Sequence, residues 1–329
     1  MYDSLLYGYG TTIATFLRLS SEADLSKRKC TYLFFDDFFR SFIHSNDYNK
    51  IYRDFLKCFN LTWEVERNLT TVKKALAESC EEILSYGFER WVSKHLFNKE
   101  KKVQPHEQFF VYMLYNYWAH VLEREILSKR NVKPVIEEIA CNIRDNITNT
   151  QNIFTTNFDT FFDDILKPDH LHGSFSIPLT KEEQIRLFTY NNNENIEYGY
   201  LFGTNGIEKR TRLDRIRRRE QDRYQLRFFY NEDLDIGHLL IFGMSFGKAE
   251  FISEDLLNEY PEYEQTYVPR SVDGHILLRL NQKMKDDKLQ KITASYHKEK
   301  DLEQLKYMFS LAGLESISEF KHTNDIKLL

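Results

Sequence analysis

The feature that most limits the fold is a short apolar strand that stops on glycines. Ser4-Leu5-Leu6-Tyr7 reads as a buried strand, and Gly8-Tyr9-Gly10-Thr11-Thr12 follows at once. Ile13, Phe16 and Leu17 then continue at helical spacing. Strand, glycine turn and helix start is the order a phosphate-binding βα unit requires, because glycine lets backbone N–H groups approach a phosphate at the helix N-terminus. A second run, His238-Leu239-Leu240-Ile241-Phe242, is apolar enough to be covered on both faces, as strands of parallel sheets are. It ends at Gly243-Met244-Ser245-Phe246-Gly247. Strands are also predicted at Ile153-Phe154-Thr155-Thr156 and at residues 291–296. Helices are predicted from Val272 to Met284 and over Leu302, Leu305, Phe309 and Ala312, the last stopped by Gly313. Strands alternating with helices predict an α/β fold built on a parallel sheet.

Between about residues 33 and 148 the pattern turns helical and aromatic. Val72, Leu76, Cys80 and Ile83 mark one helix face, and Phe110, Leu114, Trp118, Val121 and Leu122 another. With 26 Phe and 20 Tyr in 329 residues, aromatic content is high, and this block carries much of it as core. Residues 1–32 and 149–329 are therefore assigned to the sheet domain, and 33–148 to a helical insertion or cap. A net charge of −5 gives no reason to expect an overall nucleic-acid-binding surface. No apolar stretch approaches the roughly 20 residues that span a bilayer, so no membrane partner is expected. The first residues lack a basic start and apolar core, and a cytoplasmic address is the expectation.

The sharpest constellation is Thr155-Thr156-Asn157-Phe158-Asp159, followed by His170-Leu171-His172-Gly173-Ser174-Phe175. It puts an amide and a carboxylate just past a buried strand, where open α/β sheets place their ligand crevice. A histidine able to exchange a proton near neutrality follows beside a glycine. Each residue taken singly also fits a plain surface turn.

Together these segments resemble sirtuins. Thr156-Asn157-Phe158-Asp159 is similar to the family's Thr-x-Asn-x-Asp signature, with Phe158 for the usual isoleucine. His172-Gly173 resembles its His-Gly segment, and Gly243-Met244-Ser245 its Gly-Thr-Ser turn. Gly8-Tyr9-Gly10-Thr11 corresponds to its glycine-rich opening and departs most, with bulky Tyr9 where a small residue is usual. Ile13 also stands where the common dinucleotide fingerprint has its third glycine. The resemblance implies a Rossmann-like sheet that binds NAD.

The departures from the family imply a particular branch of it. Sirtuin deacetylases carry a zinc ribbon of two Cys-x-x-Cys pairs after the His-Gly segment. Here the four cysteines are Cys30, Cys58, Cys80 and Cys141, none paired in that way and none after position 141. Buried free thiols and no zinc are expected. The chain resembles instead the ribbon-less bacterial effectors of anti-phage defence and abortive infection, which degrade NAD. In such relatives an Asp-x-His-Ile helix start often follows the Gly-x-Ser turn, and Asp273-Gly274-His275-Ile276 fits it, with His275 a weak site candidate.

By this resemblance NAD is the substrate, and nicotinamide and ADP-ribose the products. Asn157 and His172 are the expected catalytic residues, the first holding the nicotinamide ribose and a water, the second acting as general base. Asp159 would hold the nicotinamide end or buttress Asn157, with Thr156 and Phe158 beside it. Gly8, Gly10, Thr11 and Thr12 would meet the pyrophosphate, and Gly243 and Ser245 the adenosine side. The basic run Lys209, Arg210, Arg212, Arg215, Arg217, Arg218 and Arg219 reads as a solvated helix face or as a surface for an acidic protein partner, a nucleotide activator or nucleic acid. The partner reading is preferred, because an NAD-destroying enzyme must be restrained by a regulatory protein of the same system; Lys209 could also reach an NAD phosphate. A homo-oligomer stays open. Two other classes also stay open: a non-catalytic NAD-binding sensor or scaffold, and a zinc-independent deacylase or ADP-ribosyltransferase.

Overall fold

The computed structural model describes residues 1–22, 33–44, 48–59, 70, 73–74, 76–86, 105–128, 132–171, 233–244, 246, 273–326 and 328. His172, Gly173, Ser245 and the basic run at 209–219 lie outside the described residues.

Six strands form one parallel sheet: β1 (Ser4–Tyr7), β2 (Ile153–Thr155), β3 (Asp169–His170), β4 (Gly237–Phe242), β5 (Leu289–Tyr296) and β6 (Ser318–His322). Their spatial order is β3-β2-β1-β4-β5-β6. Every pairing is parallel. This is a Rossmann-like α/β arrangement, as the alternation of strand and helix patterns predicts. The chain moves outward through β2 and β3 on one side of β1, then returns to build β4, β5 and β6 on the other. Strand order thus reverses between β1 and β4, and open α/β sheets place their ligand crevice beyond the strand ends at such a point.

The two strands at that point are the most apolar because helices cover both faces of the sheet. All four residues of β1 are buried, and His238 alone in β4 is not fully so. The flanks are different. In β6, Ser-Glu-Phe-Lys-His is half-exposed throughout. Glu319 there pairs with Lys291 of β5 at 2.6 Å and with Lys321 at 2.9 Å. A charged, half-wet edge discourages pairing with another chain. It also carries no apolar run, so neither β6 nor the two-residue β3 announces itself in the sequence.

The helices, in chain order, are α1 (Tyr9–Glu22), α2 (Phe35–His44), α3 (Tyr48–Cys58), α4 (Cys80–Tyr86), α5 (Pro105–Leu127), α6 (Val132–Asp145), α7 (Asp163–Leu166), α8 (Gly274–Lys285) and α9 (Glu299–Leu311). Leu76, Cys80 and Ile83 are buried on one side, as are Leu114, Trp118, Val121 and Leu122 of α5, matching those members of the two predicted faces; Val72 and the Phe110 side chain lie outside the described residues. The expectation of buried free thiols holds for Cys80 alone: Cys58 is a free thiol on the surface and Cys141 is half-buried, while Cys30 lies outside the described residues. Phe38, Phe39, Phe42 and Phe55 are also in the interior. At roughly 1.5–3 kcal/mol per buried Phe, these aromatics are a large part of what holds the block together. Helix α6 packs on α1, where Arg18 and Glu138 pair at 2.8 Å. Helix α9 stops where predicted: Gly313 takes φ +67°, and Leu314 N–H returns to the Phe309 carbonyl at 2.9 Å. Among the described residues no helix is long and apolar enough to cross a membrane.

Gly243 is the glycine on which this architecture leans hardest. Its φ is +67°, and a Cβ there would lie 2.5 Å from the Thr11 amide nitrogen. Gly243→Ala should therefore destabilise the protein by at least roughly 2 kcal/mol, combining left-handed strain with a backbone clash. Urea denaturation checks this; an unchanged midpoint would show that the two turns are not in close contact.

Candidate functional site

Tyr7 pairs in register with Thr155 on one side and with Phe242 on the other. The three strands end level, so Gly8, Thr156 and Gly243 leave the sheet together around the switch point. A cleft of 1540 Å³ opens there, lined among others by Gly8, Gly10, Thr156, Asn157, Phe158, Asp159 and Gly243. Seven of the expected site residues are thus brought to one cleft, with Thr11 and Thr12 directly behind it.

The glycines do a different job from the one the phosphate-turn reading gives them. Gly8 N–H donates to the Phe242 carbonyl and Gly10 N–H to the Gly243 carbonyl, each at 2.9 Å. A Cβ on Gly8 would stand 2.6 Å from Met244 Cγ, and one on Gly10 2.8 Å from Gly243 Cα. Both glycines therefore permit the turn after β1 to lie directly on the turn after β4. Their N–H groups are consumed in that seam and are not free for a phosphate. The Thr11 hydroxyl is buried beside Gly243 with no hydrogen-bond partner. Tyr9 turns its ring against Trp118 of α5, with centroids 4.8 Å apart, and its hydroxyl donates to the Leu33 carbonyl. The bulk of Tyr9 is absorbed by the helical block.

Asn157 is held at almost every polar atom. Its N–H donates to Thr155 Oγ1 at 3.0 Å, and that hydroxyl donates to the Tyr7 carbonyl at 3.0 Å. Its carbonyl accepts from His170 Nδ1 at 2.8 Å. Its side-chain Nδ2 donates to Thr12 Oγ1 at 3.0 Å, while Thr12 gives its single hydroxyl proton to Asp159 Oδ2 at 2.8 Å. Thr12 therefore orients both the Asn157 and the Asp159 side chains. Because the hydroxyl proton is committed to the carboxylate, the amide must turn its NH2 to Thr12 and its oxygen away. That oxygen, Oδ1, is buried and has no hydrogen-bond partner. An unsatisfied buried acceptor costs about 1–3 kcal/mol, which a ligand or water donor would relieve.

Phe158 stacks on Tyr115 of α5 at 5.3 Å, and Tyr115 stacks on Phe35 of α2 at 4.2 Å. The signature segment is thereby packed against the helical block as well as the sheet. Asp273 lines the cleft at the N-cap of α8, with φ +66°. The helix start expected at 273–276 is thus at the site, although the His275 side chain is outside the described residues.

Sequence reasoning missed four residues here: Thr160, Asp163, His170 and Glu123. His170 is the histidine that the described structure brings to Asn157. Its Nε2 meets both Asp163 oxygens at 3.1 Å, while Nδ1 meets the Asn157 carbonyl. Both nitrogens face acceptors, so the imidazolium satisfies the pocket, and the ring has no free nitrogen to act as a base. Burial alone would depress its pKa, but the Asp163 carboxylate, by hydrogen bond and charge, holds it above the usual histidine value. The Asp-x6-His spacing from 163 to 170 is present in the sequence, but such a spacing carries no signal by itself, unlike the His-Gly pair beside it. Glu123, on α5, gave no signal because it sits within an otherwise apolar helix face. It accepts from both the N–H and the hydroxyl of Thr160. Burial, then the negative charge of Asp159, push Glu123 up to about 8, against those two bonds. Burial likewise pushes Asp159 up to about 6, against the Thr12 hydrogen bond and the nearby His170 charge.

All three groups hold protons more tightly folded than unfolded. Each contributes stability that is full below its unfolded pKa and lost as pH rises through its folded one. The melting temperature should therefore fall between about pH 4 and pH 8, as Asp159 and then Glu123 ionise and His170 loses its proton. His170→Gln should flatten the part of that fall due to the imidazolium and lower stability at pH 6 by roughly 2–4 kcal/mol. Thermal denaturation across this range checks it; a melting temperature rising toward pH 8 would contradict the assigned charges.

Comparison with known proteins finds no matching family model, no similar curated protein and no similar solved structure. What this site can do is carried by its own geometry.

Proposed function

We propose that this chain binds NAD at the β1/β4 switch point and hydrolyses its nicotinamide–ribose bond. The observation that carries the reading is Asn157: a cleft-lining residue fixed by three hydrogen-bonding groups of the chain, Thr155, Thr12 and His170, with one buried acceptor, Oδ1, left without a partner. An acceptor so fixed suits a donor whose position must be exact to fractions of an ångström, such as a ribose hydroxyl or an attacking water. Further support comes from the helix α1 N-terminus beside the cleft, whose dipole favours an anionic pyrophosphate. The motif resemblance adds the identity of the ligand.

In the proposed reaction the C1′–N bond of the nicotinamide riboside breaks and its electron pair neutralises the pyridinium, so nicotinamide leaves uncharged. A water oxygen bonds to C1′ of the oxocarbenium-like ribosyl centre, and its proton passes to a general base. Asn157 Oδ1 orients the water or ribose hydroxyl. Asp159, fixed by Thr12, sets the amide's orientation and places negative potential near the developing cation. His172 is the proposed base. The role suits it because His170, two residues earlier, has both nitrogens engaged. In cells the consequence is NAD depletion, consistent with a defence effector kept in check by a protein partner. A second reading, a binding module without turnover, is favoured by one observation: the Gly8 and Gly10 amides, which a dinucleotide enzyme would turn to pyrophosphate, are spent within the chain.

Nicotinamide release from NAD by the purified protein, alone and with the proteins encoded beside it, separates these readings. Wild type should release nicotinamide in buffer, and Asn157→Ala and His172→Ala should each lower the rate about 100-fold or more. NAD binding with no release under any condition would leave the binding module. Turnover only with an added acyl-lysine or protein acceptor would make it a transferase or deacylase.

A further inference from the structure

Helix α5 faces the cleft with Trp118, Ala119 and Leu122, and its next residue is an acid turned inward. Glu123 is 6% exposed, between the buried Leu122 and Ile126. A leucine there would pack the same helix face without the expense of burying a carboxyl group. Both Glu123 oxygens are instead used on one residue: Oε1 accepts the Thr160 backbone N–H, and Oε2 bonds the Thr160 hydroxyl at 3.2 Å. Thr160 directly follows Asp159 and closes the turn that starts at Asn157. The other end of that turn is held by the sheet, through Thr155 and His170.

The charged and titratable groups around Glu123 come from four other segments. They are Asp159 and Asp163 on the turn and in α7, Tyr7 on β1, and His170 on β3, which faces Asp163 rather than Glu123. None of them is a cation bonded to Glu123. Its contacts are those of a clamp and not of an ion pair.

We propose that Glu123 is a positioning residue: by gripping Thr160 it fixes the 157–160 turn, sets the position of Asn157 beside the cleft, and makes the site depend on how the helical block is seated. The inference rests on the proposed NAD chemistry for its kinetic consequence, but the clamp itself is a statement about the turn. It assigns the helical block a role beyond covering the sheet. A partner that shifts α5 would loosen the proposed catalytic turn from the helix's outer side, without itself binding in the cleft.

Three variants test it: Glu123→Ala removes both bonds, Thr160→Val removes the hydroxyl bond alone, and Glu123→Gln keeps an acceptor for the N–H and a donor for the hydroxyl. Deuterium uptake over residues 156–163, NAD affinity, and kcat and KM for nicotinamide release are measured at pH 7. Glu123→Ala should raise uptake in that segment and lower kcat about 10- to 100-fold with KM little changed. Thr160→Val should follow in the same direction more weakly, and Glu123→Gln should restore both readouts. Should Glu123→Ala not fold, the Val and Gln variants decide on the same measurements. Wild-type uptake and kcat in the Ala or Val variant would overturn the proposal, as would a loosened turn with undiminished kcat. A Gln variant as impaired as Ala would overturn it too. If wild type releases no nicotinamide, the hydrolase reading falls by itself, and the clamp then stands or falls on uptake and NAD affinity.

Discussion

The contact between two backbone turns governs the rest of this molecule. In a parallel sheet the strands at the reversal of strand order both end at the same face, and the two loops leaving them compete for one space. Here the competition is resolved by bringing the loops into contact. Gly10 N–H meets the Gly243 carbonyl at 2.9 Å, with no side chain at Gly8, Gly10 or Gly243 to keep the loops apart. Helix α1 is thereby started at a fixed height, which places Thr12 one turn in, level with the loop after β2. The hydrogen bonds then run outward from Asn157 in two branches, its side chain donating to Thr12 and Thr12 to Asp159, its backbone N–H donating to Thr155 and Thr155 to the Tyr7 carbonyl. The position of one amide oxygen is the end product.

Charge is arranged around that oxygen with an economy that has consequences for pH. Three carboxyl groups are gathered at the cleft, Asp159 lining it and Asp163 and Glu123 further back, and of these only Asp163 is ion-paired with His170. Asp159 is balanced by a hydroxyl, and Glu123 by a hydroxyl and an amide. Hydrogen bonds soften the burial of an acid but do not offset it as a counter-ion does, which is why both remain raised. Near neutrality Asp159 is the more ionised of the two and Glu123 the more protonated. Negative charge is thus concentrated on the residue nearer the cleft, where a cationic transition state would profit from it.

The central strands were legible in the sequence for a simple reason: β1 and β4 are covered on both faces and read as apolar runs. Gly313 was legible because a left-handed helix stop favours glycine. The strands β3 and β6 were not, since edge strands need no apolar run, and Ser-Glu-Phe-Lys-His resembles a loop. At the site, the spacing from Thr156 to Asp159 identified the segment but not the partnerships within it. Thr12 was expected to face a phosphate and instead holds Asp159 and Asn157, because a hydroxyl one turn into α1 lies over the neighbouring loop. Gly8 and Gly10 were read as phosphate turns, yet the same residues are required by turn-on-turn packing, and sequence alone does not separate the two demands. Glu123 could not be found, since what identifies it is a contact between positions 37 residues apart in the chain.

The most direct test of the site is a crystal structure of the protein with NAD or ADP-ribose bound. The cleft at the β1/β4 switch point should hold the dinucleotide, with a ribose hydroxyl or a held water about 3 Å from Asn157 Oδ1 and the pyrophosphate beside the seam of Gly8, Gly10 and Gly243. A ligand bound elsewhere, or Asn157 Oδ1 satisfied by a donor of the protein itself while the cleft stays empty, would contradict the assignment of this amide as the centre of the site.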